Sequence, residues 1–196
     1  DDKGIVVREE PNGWCLGEWS TPHNRIEIPA SLVNTAYFYH VTCIMADVAG
    51  ILDKKEDEHH LHTLAETIRK NFNAAFYNDV THHYWEGKQG ADVFALAFGL
   101  VLEGKQEKVF SALLEHLKKV NYHFDTGILA TPLLLKVLTE NGRADLAYKL
   151  MNQRDFPSYG YLADKKNNTL WETWNGDGND EGCGHCHPMF GSVVAW

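Results

Sequence analysis

The stretches ASLVNTAYFYHVTCIMADVAGI (residues 30–51) and DEHHLHTLAETIRKNFNAAFY (residues 57–77) together indicate the fold. The first is apolar around most of a helical circumference, which is typical of a helix buried on several sides. The second carries apolar residues at i, i+3, i+4 and i+7 on one face and charged residues on the other. Because only a short polar break, Leu52–Glu56, separates them, we predict a helical hairpin with an inner and an outer helix.

The same unit recurs twice further along the chain. Ala91–Leu102 is apolar nearly all round, and Glu107–Val120 behind it is amphipathic. Thr131–Glu140 is again apolar, and Ala144–Gln153 follows it after an Asn-Gly stop signal. The pattern therefore predicts an all-α protein built from three helical hairpins.

A single domain is expected for the whole chain of 196 residues. We expect a loop segment over residues 1–29, three hairpins over 30–155, an active-site loop region over 156–187 and the start of a final helix over 188–196. Each linker joins an outer helix to the next inner helix, so all linkers should emerge at one end of the bundle. Functional residues collect on loops that a rigid scaffold holds, and we look for the site there.

Composition excludes several classes of function. Apolar residues make up 44% and charged residues 23% of the chain, as in ordinary soluble globular proteins. The 18 basic and 27 acidic residues give a net charge of −9, which disfavours nucleic acid and anionic membrane as partners. No apolar run approaches the ~20 residues that span a bilayer. The chain starts without a signal-peptide pattern, and its compartment (periplasmic, extracellular or cytoplasmic) stays open.

Glu172 stands out because it lies between Trp171 and Trp174 in a Gly-rich segment without a neighbouring basic residue. A carboxyl group wedged among aromatic rings is partly desolvated, which predicts a raised pKa and suits it to acid–base chemistry. Tryptophan in loops also suits stacking on the flat faces of sugar rings. The alternative interpretation is a surface glutamate in a loop whose tryptophans pack against the helices.

A second carboxylate beside tryptophan occurs near the start of the chain. Glu18 lies next to Trp19 and close to Trp14, again in a loop. Its side chain could bind a sugar hydroxyl, or it could cap the helix that follows.

The run Cys183-Gly184-His185-Cys186-His187 matches the C-x-x-C-H pattern of haem attachment and offers residue types that bind zinc. A zinc site would need a second ligand pair, and a haem site would need a distal ligand and an apolar pocket. We therefore expect no metal and no cofactor, and interpret the run as a loop that enters a final helix at Pro188. His82 and His83 receive no assigned role.

Several motifs, taken in order and spacing, resemble bacterial α-L-rhamnosidases of glycoside hydrolase family 78. These motifs are Gly17-Glu18-Trp19 with Thr21-Pro22, His123–Pro132 followed by Glu140–Tyr148, Phe156–Tyr161, Thr169–Trp174 and His187–Val193. The resemblance covers nearly the whole chain. Two positions depart from the family pattern, with Tyr159 where tryptophan is usual and Cys186 where asparagine is common.

The resemblance implies an (α/α)6 toroid, of which this chain holds about half, and inverting hydrolysis of terminal α-L-rhamnosides without a metal. It implies that Glu172 is the general base and that His187 contacts the substrate. It further implies that Glu18, Trp19, Trp171 and Trp174 lie on or near sugar-contacting positions. The family's general acid belongs to an upstream motif that this chain lacks, so the chain alone is expected to be inactive.

Two other classes of function stay open at this point. A helical module could bind a rhamnose-containing glycoside without performing chemistry, and helical toroids also occur in lyases and epimerases. The expected partners are such a glycoside and either the rest of the catalytic domain or a second copy of this chain, because half a toroid leaves apolar helix faces uncovered.

Overall fold

Helices form nearly all of the regular structure in the residues that the computed structural model describes, namely 4–7, 17–22, 28–165, 169–176 and 184–196. Within these ranges there is no β-strand, and Tyr77 and Tyr84 form an isolated antiparallel β-bridge. The elements are α1 (Ala30–Ile51), α2 (Lys55–Phe76), α3 (Gln89–Ala97), α4 (Gln106–Lys119), α5 (Ala130–Glu140), α6 (Ala144–Met151), α7 (Tyr159–Asp164), α8 (Pro188–Gly191) and the 3-10 turn Ser192–Ala195. The predicted all-α class is confirmed.

The first six helices pair as three hairpins, α1 with α2, α3 with α4 and α5 with α6. Their inner members form a row in which α3 contacts both α1 and α5, and the 3-10 turn contacts α5. Because α3 lies between two neighbours, all of its residues from Gln89 to Ala95 are buried. The outer helices α2 and α4 bury a single apolar face, which includes Ile68 and Leu113.

Some helix ends differ from the sequence prediction. α3 ends at Ala97 instead of Leu102, because Gly99 adopts a left-handed φ of 74° and the amide of Leu100 turns back to the carbonyl of Ala95 at 2.9 Å. α6 ends at Met151, two residues earlier than predicted.

One helix was not predicted at all. α7 begins inside the expected loop region 156–187, where the Ser158 hydroxyl accepts a hydrogen bond from the amide of Tyr161 at 3.0 Å. The final helix is a single α turn, α8, that continues as a 3-10 turn.

A row of exposed apolar side chains runs along α1. Phe38, Val41, Met45, Val48 and Leu52 follow each other at alternating spacings of three and four residues and are between 38% and 63% exposed. This set is called the α1 stripe below. α3 and α5, which are described throughout, carry no large apolar side chain of comparable exposure. Of the apolar helix faces that half a toroid is expected to leave uncovered, one is therefore found on α1, whereas α5 is covered by the 3-10 turn.

In the described part of the chain, no helix is both long and apolar enough to cross a membrane.

Candidate functional site

Three loop segments meet near the start of α5. The carbonyl of Trp19 accepts a hydrogen bond from the amide of Ile128 at 3.0 Å, and the Trp19 indole Nε1 donates to Oε1 of Glu172 at 2.8 Å. The amide of Gly184 donates to Oε2 of Glu172 at 2.7 Å. Segments that are more than 100 residues apart along the chain thus meet at one carboxylate. We take this cluster as the candidate active site.

Glu172 has one hydrogen-bond donor on each carboxylate oxygen and is half-buried. The amide of Gly184, the indole of Trp19 and the nearby His187 lower the pKa of Glu172 below its ordinary value. The raised pKa predicted from the aromatic neighbours is therefore wrong. The reason is that Trp19 presents its polar N–H to the carboxylate, and a backbone amide supplies a second donor.

The two tryptophans that flank Glu172 have different environments. Trp171 is half-buried, and its ring stacks on His185 with centroids 4.0 Å apart. Trp174 is 0% exposed, stacks on Phe124 at 5.2 Å and donates from Nε1 to the carbonyl of Thr126 at 3.0 Å. Trp171 can therefore offer an open face to a ligand, whereas Trp174 belongs to the core and anchors the segment that carries Glu172.

Glu18 is enclosed by the structure, with 1% of its surface exposed. Its Oε1 accepts hydrogen bonds from the amides of Gly127 at 2.6 Å and Ala130 at 3.1 Å, so it caps α5. Both alternatives weighed from the sequence are thereby corrected. A sugar hydroxyl does not reach this carboxyl group, and the helix it caps is not the one that follows it along the chain.

Burial raises the pKa of Glu18 to about 8, against the lowering effect of its two backbone hydrogen bonds. The charge of Asp125 raises it further. The other oxygen, Oε2, is buried and has no hydrogen-bond partner among the described residues.

His187 lies at the N-cap of α8, with its amide bonded to the carbonyl of Leu170 at 2.8 Å. Its ring is close to Glu172, because a Cβ added at Gly184 would lie 3.1 Å from Glu172 Oε2 and 3.8 Å from His187 Cδ2. Within the described residues the buried Nδ1 of His187 has no hydrogen-bond partner. The imidazole therefore retains hydrogen-bonding capacity beside the carboxylate.

Two histidine–aspartate pairs with a sequence separation of nine residues, besides His123 with Asp155 at 3.0 Å, were missed by the sequence reasoning. Nδ1 of His83 lies 2.6 Å from Asp92, and Nε2 of His116 lies 2.6 Å from Asp125. The hydrogen bond that the Asp92 carboxylate accepts from the His83 ring raises the pKa of His83. Each partner lies nine residues away on another element, so no local pattern in the sequence could have revealed the pairs.

The haem-like run is only partly within the described residues. Cys186 is exposed and free, whereas Cys183 lies outside the described residues, as do Trp14, Cys15 and Asp177. Among the residues that the structure describes, no group of three or more histidine, cysteine, aspartate or glutamate side chains could hold a metal ion.

Comparison with known proteins identifies the family. The family model described as the bacterial alpha-L-rhamnosidase 6 hairpin glycosidase domain matches residues 3–196. The chain belongs to this family. The predicted resemblance is confirmed, and the three hairpins correspond to part of a six-hairpin domain.

Curated relatives include alpha-L-rhamnosidases from Formosa agariphila, 32% identical over 192 residues, and from Streptomyces avermitilis, 34% identical over 191 residues. Each alignment covers 92% of this chain but only 21% and 18%, respectively, of the relative. The chain therefore spans about a fifth of the length of these relatives.

Solved structures give the same result. The alpha-L-rhamnosidase from Dictyoglumus thermophilum superimposes with a TM-score of 0.91 at 34% identity and covers all of this chain, which corresponds to 22% of that structure. The Streptomyces avermitilis alpha-L-rhamnosidase, complexed with L-rhamnose, gives a TM-score of 0.86 at 32% identity. The matched region is again all of this chain, and it corresponds to 19% of that structure.

Proposed function

We propose that this chain is part of the catalytic domain of a glycosidase that removes terminal α-L-rhamnosyl groups, with Glu172 as the general base. The observation that carries the proposal is the lowered pKa of a half-buried carboxylate held by two donors. A general base must be ionised before it can accept a proton from water. Glu172 meets this requirement and remains reachable from solvent.

The proposed reaction proceeds with inversion at the anomeric carbon. An inverting glycosidase uses two carboxyl groups ~6.5–9.5 Å apart, with a water molecule between the base and the sugar. Glu172 accepts a proton from this water as the water attacks the anomeric carbon. A second carboxyl group, which we assign to a part of the polypeptide outside this chain, protonates the departing glycosidic oxygen. The product is then β-L-rhamnose.

The residues around Glu172 supply the surfaces for sugar binding in this proposal. Trp19, which donates to the carboxylate, and Trp171, its neighbour in the sequence, are both partly exposed, and aromatic rings suit the apolar faces of a sugar ring. His187 lies beside them at the N-cap of α8. Glu18 and Trp174 act from behind the site, through the backbone and the core.

The test is turnover of an aryl α-L-rhamnoside by the full-length enzyme. Glu172→Gln should lower kcat by several orders of magnitude, because the amide cannot accept the proton, while binding of rhamnose is retained. Glu86→Gln is the matched control, since Glu86 is an exposed carboxylate in the linker between α2 and α3. Near-normal turnover of Glu172→Gln would remove this residue from the mechanism.

The same assay separates the other classes of function. Wild-type enzyme that binds rhamnosides without releasing any product would indicate a binding module. An unsaturated product would indicate a lyase, and an isomerised sugar an epimerase. Proton NMR of the first rhamnose anomer released tests inversion directly.

A further inference from the structure

We propose that Glu18 is a positioning residue, which holds Trp19 in place so that Trp19 orients the carboxylate of Glu172. The proposal rests on the proposed role of Glu172 as the base. It gives the buried carboxyl group of Glu18 a task in the reaction although it does not touch the sugar.

Glu18 and Trp19 are both attached to the turn that leads into α5 and to its first residue, Ala130. Glu18 Oε1 accepts from the amides of Gly127 at 2.6 Å and Ala130 at 3.1 Å, and the Trp19 carbonyl accepts from Ile128 at 3.0 Å. Amides at the start of a helix lack partners within the helix, and a carboxyl oxygen there is a favourable acceptor. Three hydrogen bonds thus fix two consecutive residues against the turn before α5 and the start of the helix.

The contact is close enough to exclude any side chain at Gly127. A Cβ atom built there would lie 1.9 Å from the carbonyl oxygen of Trp19 and 3.0 Å from Glu18 Oε1. A glycine is therefore required for Glu18 and Trp19 to lie this near to the helix.

Trp19 transmits this attachment to Glu172. Its Nε1 donates to Glu172 Oε1 at 2.8 Å, and the only other donor described for the carboxylate is the amide of Gly184, on Oε2. If Trp19 moves, Glu172 loses one of its two donors. The pKa of Glu172 then rises, and the amide of Gly184 is left as the one described donor that orients its carboxylate. Because Glu18 is 1% exposed, we infer that it acts on the reaction indirectly, through the position of Trp19.

The experiment follows the indole N–H of Trp19 by ¹H–¹⁵N TROSY NMR of the full-length enzyme, labelled with ¹⁵N at tryptophan. The cross-peak of Trp19 is assigned as the one that Trp19→Phe removes. In the wild type, the chemical shift of this cross-peak should change as Glu172 ionises, with a midpoint below the ordinary glutamate pKa of 4.5. Glu172→Gln should abolish this change.

Glu18→Ala removes the cap, whereas Glu18→Gln keeps an oxygen that can accept both amides. We expect Glu18→Ala to shift the Trp19 cross-peak upfield and to raise its titration midpoint, and Glu18→Gln to leave both near the wild type. Asp145→Ala is the matched control, because Asp145 is an exposed acid in the first turn of α6. The proposal is overturned by a folded Glu18→Ala with an unchanged Trp19 titration, or by Glu18→Gln shifting it as far as Glu18→Ala does.

A measurement on the wild type covers the case in which Glu18→Ala does not fold. If the attachment is one unit, the Trp19 indole N–H and the amides of Gly127 and Ala130 should exchange with deuterium at similar rates, because they open together. Unrelated rates would overturn the proposal. None of these measurements involves a sugar, so they can fail or succeed independently of rhamnosidase activity.

Discussion

At the scale of single residues, two glutamates of the candidate site are placed in opposite electrostatic environments. Glu172 has a donor on each oxygen and a lowered pKa, whereas Glu18 has two donors on one oxygen, none described on the other, and a pKa raised to about 8. Burial accounts for the difference, because it disfavours the charged form of Glu18 more than its two hydrogen bonds favour it. The half-buried glutamate, Glu172, is thus the one suited to act as a base.

The raised pKa of Glu18 predicts a pH-dependent stability. Between pH 4.5, its ordinary pKa, and about 8, the unfolded chain has released this proton while the folded chain retains it. Unfolding therefore becomes more favourable as pH rises through this window and levels off above it. At about 1.4 kcal/mol per pKa unit, the loss is at most ~5 kcal/mol.

Glu18→Gln should abolish this part of the pH dependence, since glutamine does not ionise. The measurement is the free energy of unfolding in urea at pH 5 and pH 9 for both proteins. The wild type should lose more stability than Glu18→Gln over this range. Equal losses would show that Glu18 ionises normally in the folded chain.

At the scale of elements, the segment 169–176 is anchored by Trp174 and exposes Trp171. Trp174 packs against Phe124, Tyr159 and Phe190, and it donates to a backbone carbonyl. Among the residues that the structure describes, only His185 stacks on Trp171. The two tryptophans therefore contribute to different properties, the first to stability and the second to binding.

Trp174→Ala should destabilise the protein by about 3–5 kcal/mol, as expected for a large side chain removed from a core. Trp171→Ala should change the unfolding free energy by less than ~1 kcal/mol, as expected away from the core, but should weaken rhamnose binding. Thermal unfolding and calorimetric titration with L-rhamnose distinguish the two. The reverse pattern would assign Trp174 to the sugar site and Trp171 to the core.

The sequence predicted the helices more accurately than the segments between them. The bounds of α1 were predicted to the residue, because its apolar pattern follows directly on Pro29 and ends in a polar break. α7 was missed because a helix of six residues is too short to display a period. The early end of α3 depends on the left-handed backbone of Gly99, which the apolar residues after it concealed.

The site was predicted in part. Glu172 was selected because two flanking tryptophans were expected to desolvate its carboxyl group, and the structure shows a tryptophan at this carboxylate. The tryptophan that donates to it is Trp19, which is 153 residues away, and not either sequence neighbour. The burial of Glu18 likewise depends on Gly127, 109 residues further along the chain. Contacts at such separations leave no trace in a local pattern.

At the scale of the whole molecule, the α1 stripe is an apolar surface that no other described element covers. Five apolar side chains along one helix face remain 38–63% exposed at the end of the inner row. Contiguous apolar surface of this kind marks a place where another element packs. We propose that in the full-length protein the preceding part of the six-hairpin domain covers it.

We expect the isolated 196-residue chain to self-associate through the α1 stripe and to lack rhamnosidase activity. Val41→Lys with Met45→Lys should raise the monomer fraction in light scattering, whereas Val80→Lys, at an exposed apolar residue in the α2–α3 linker, should not. A monodisperse wild-type monomer with Glu172-dependent hydrolysis would contradict both expectations.

The hydrogen bond between Trp19 and Glu172 also bears on the order of events during folding. It joins residues 153 positions apart, whereas each hairpin forms from contacts between neighbouring helices. Closing a long loop costs more chain entropy than closing a short one, and non-local contacts slow folding. The helices can therefore assemble while the carboxylate is still unrestrained. In a refolding experiment, helical circular dichroism should recover before the Trp19 indole becomes protected from solvent exchange.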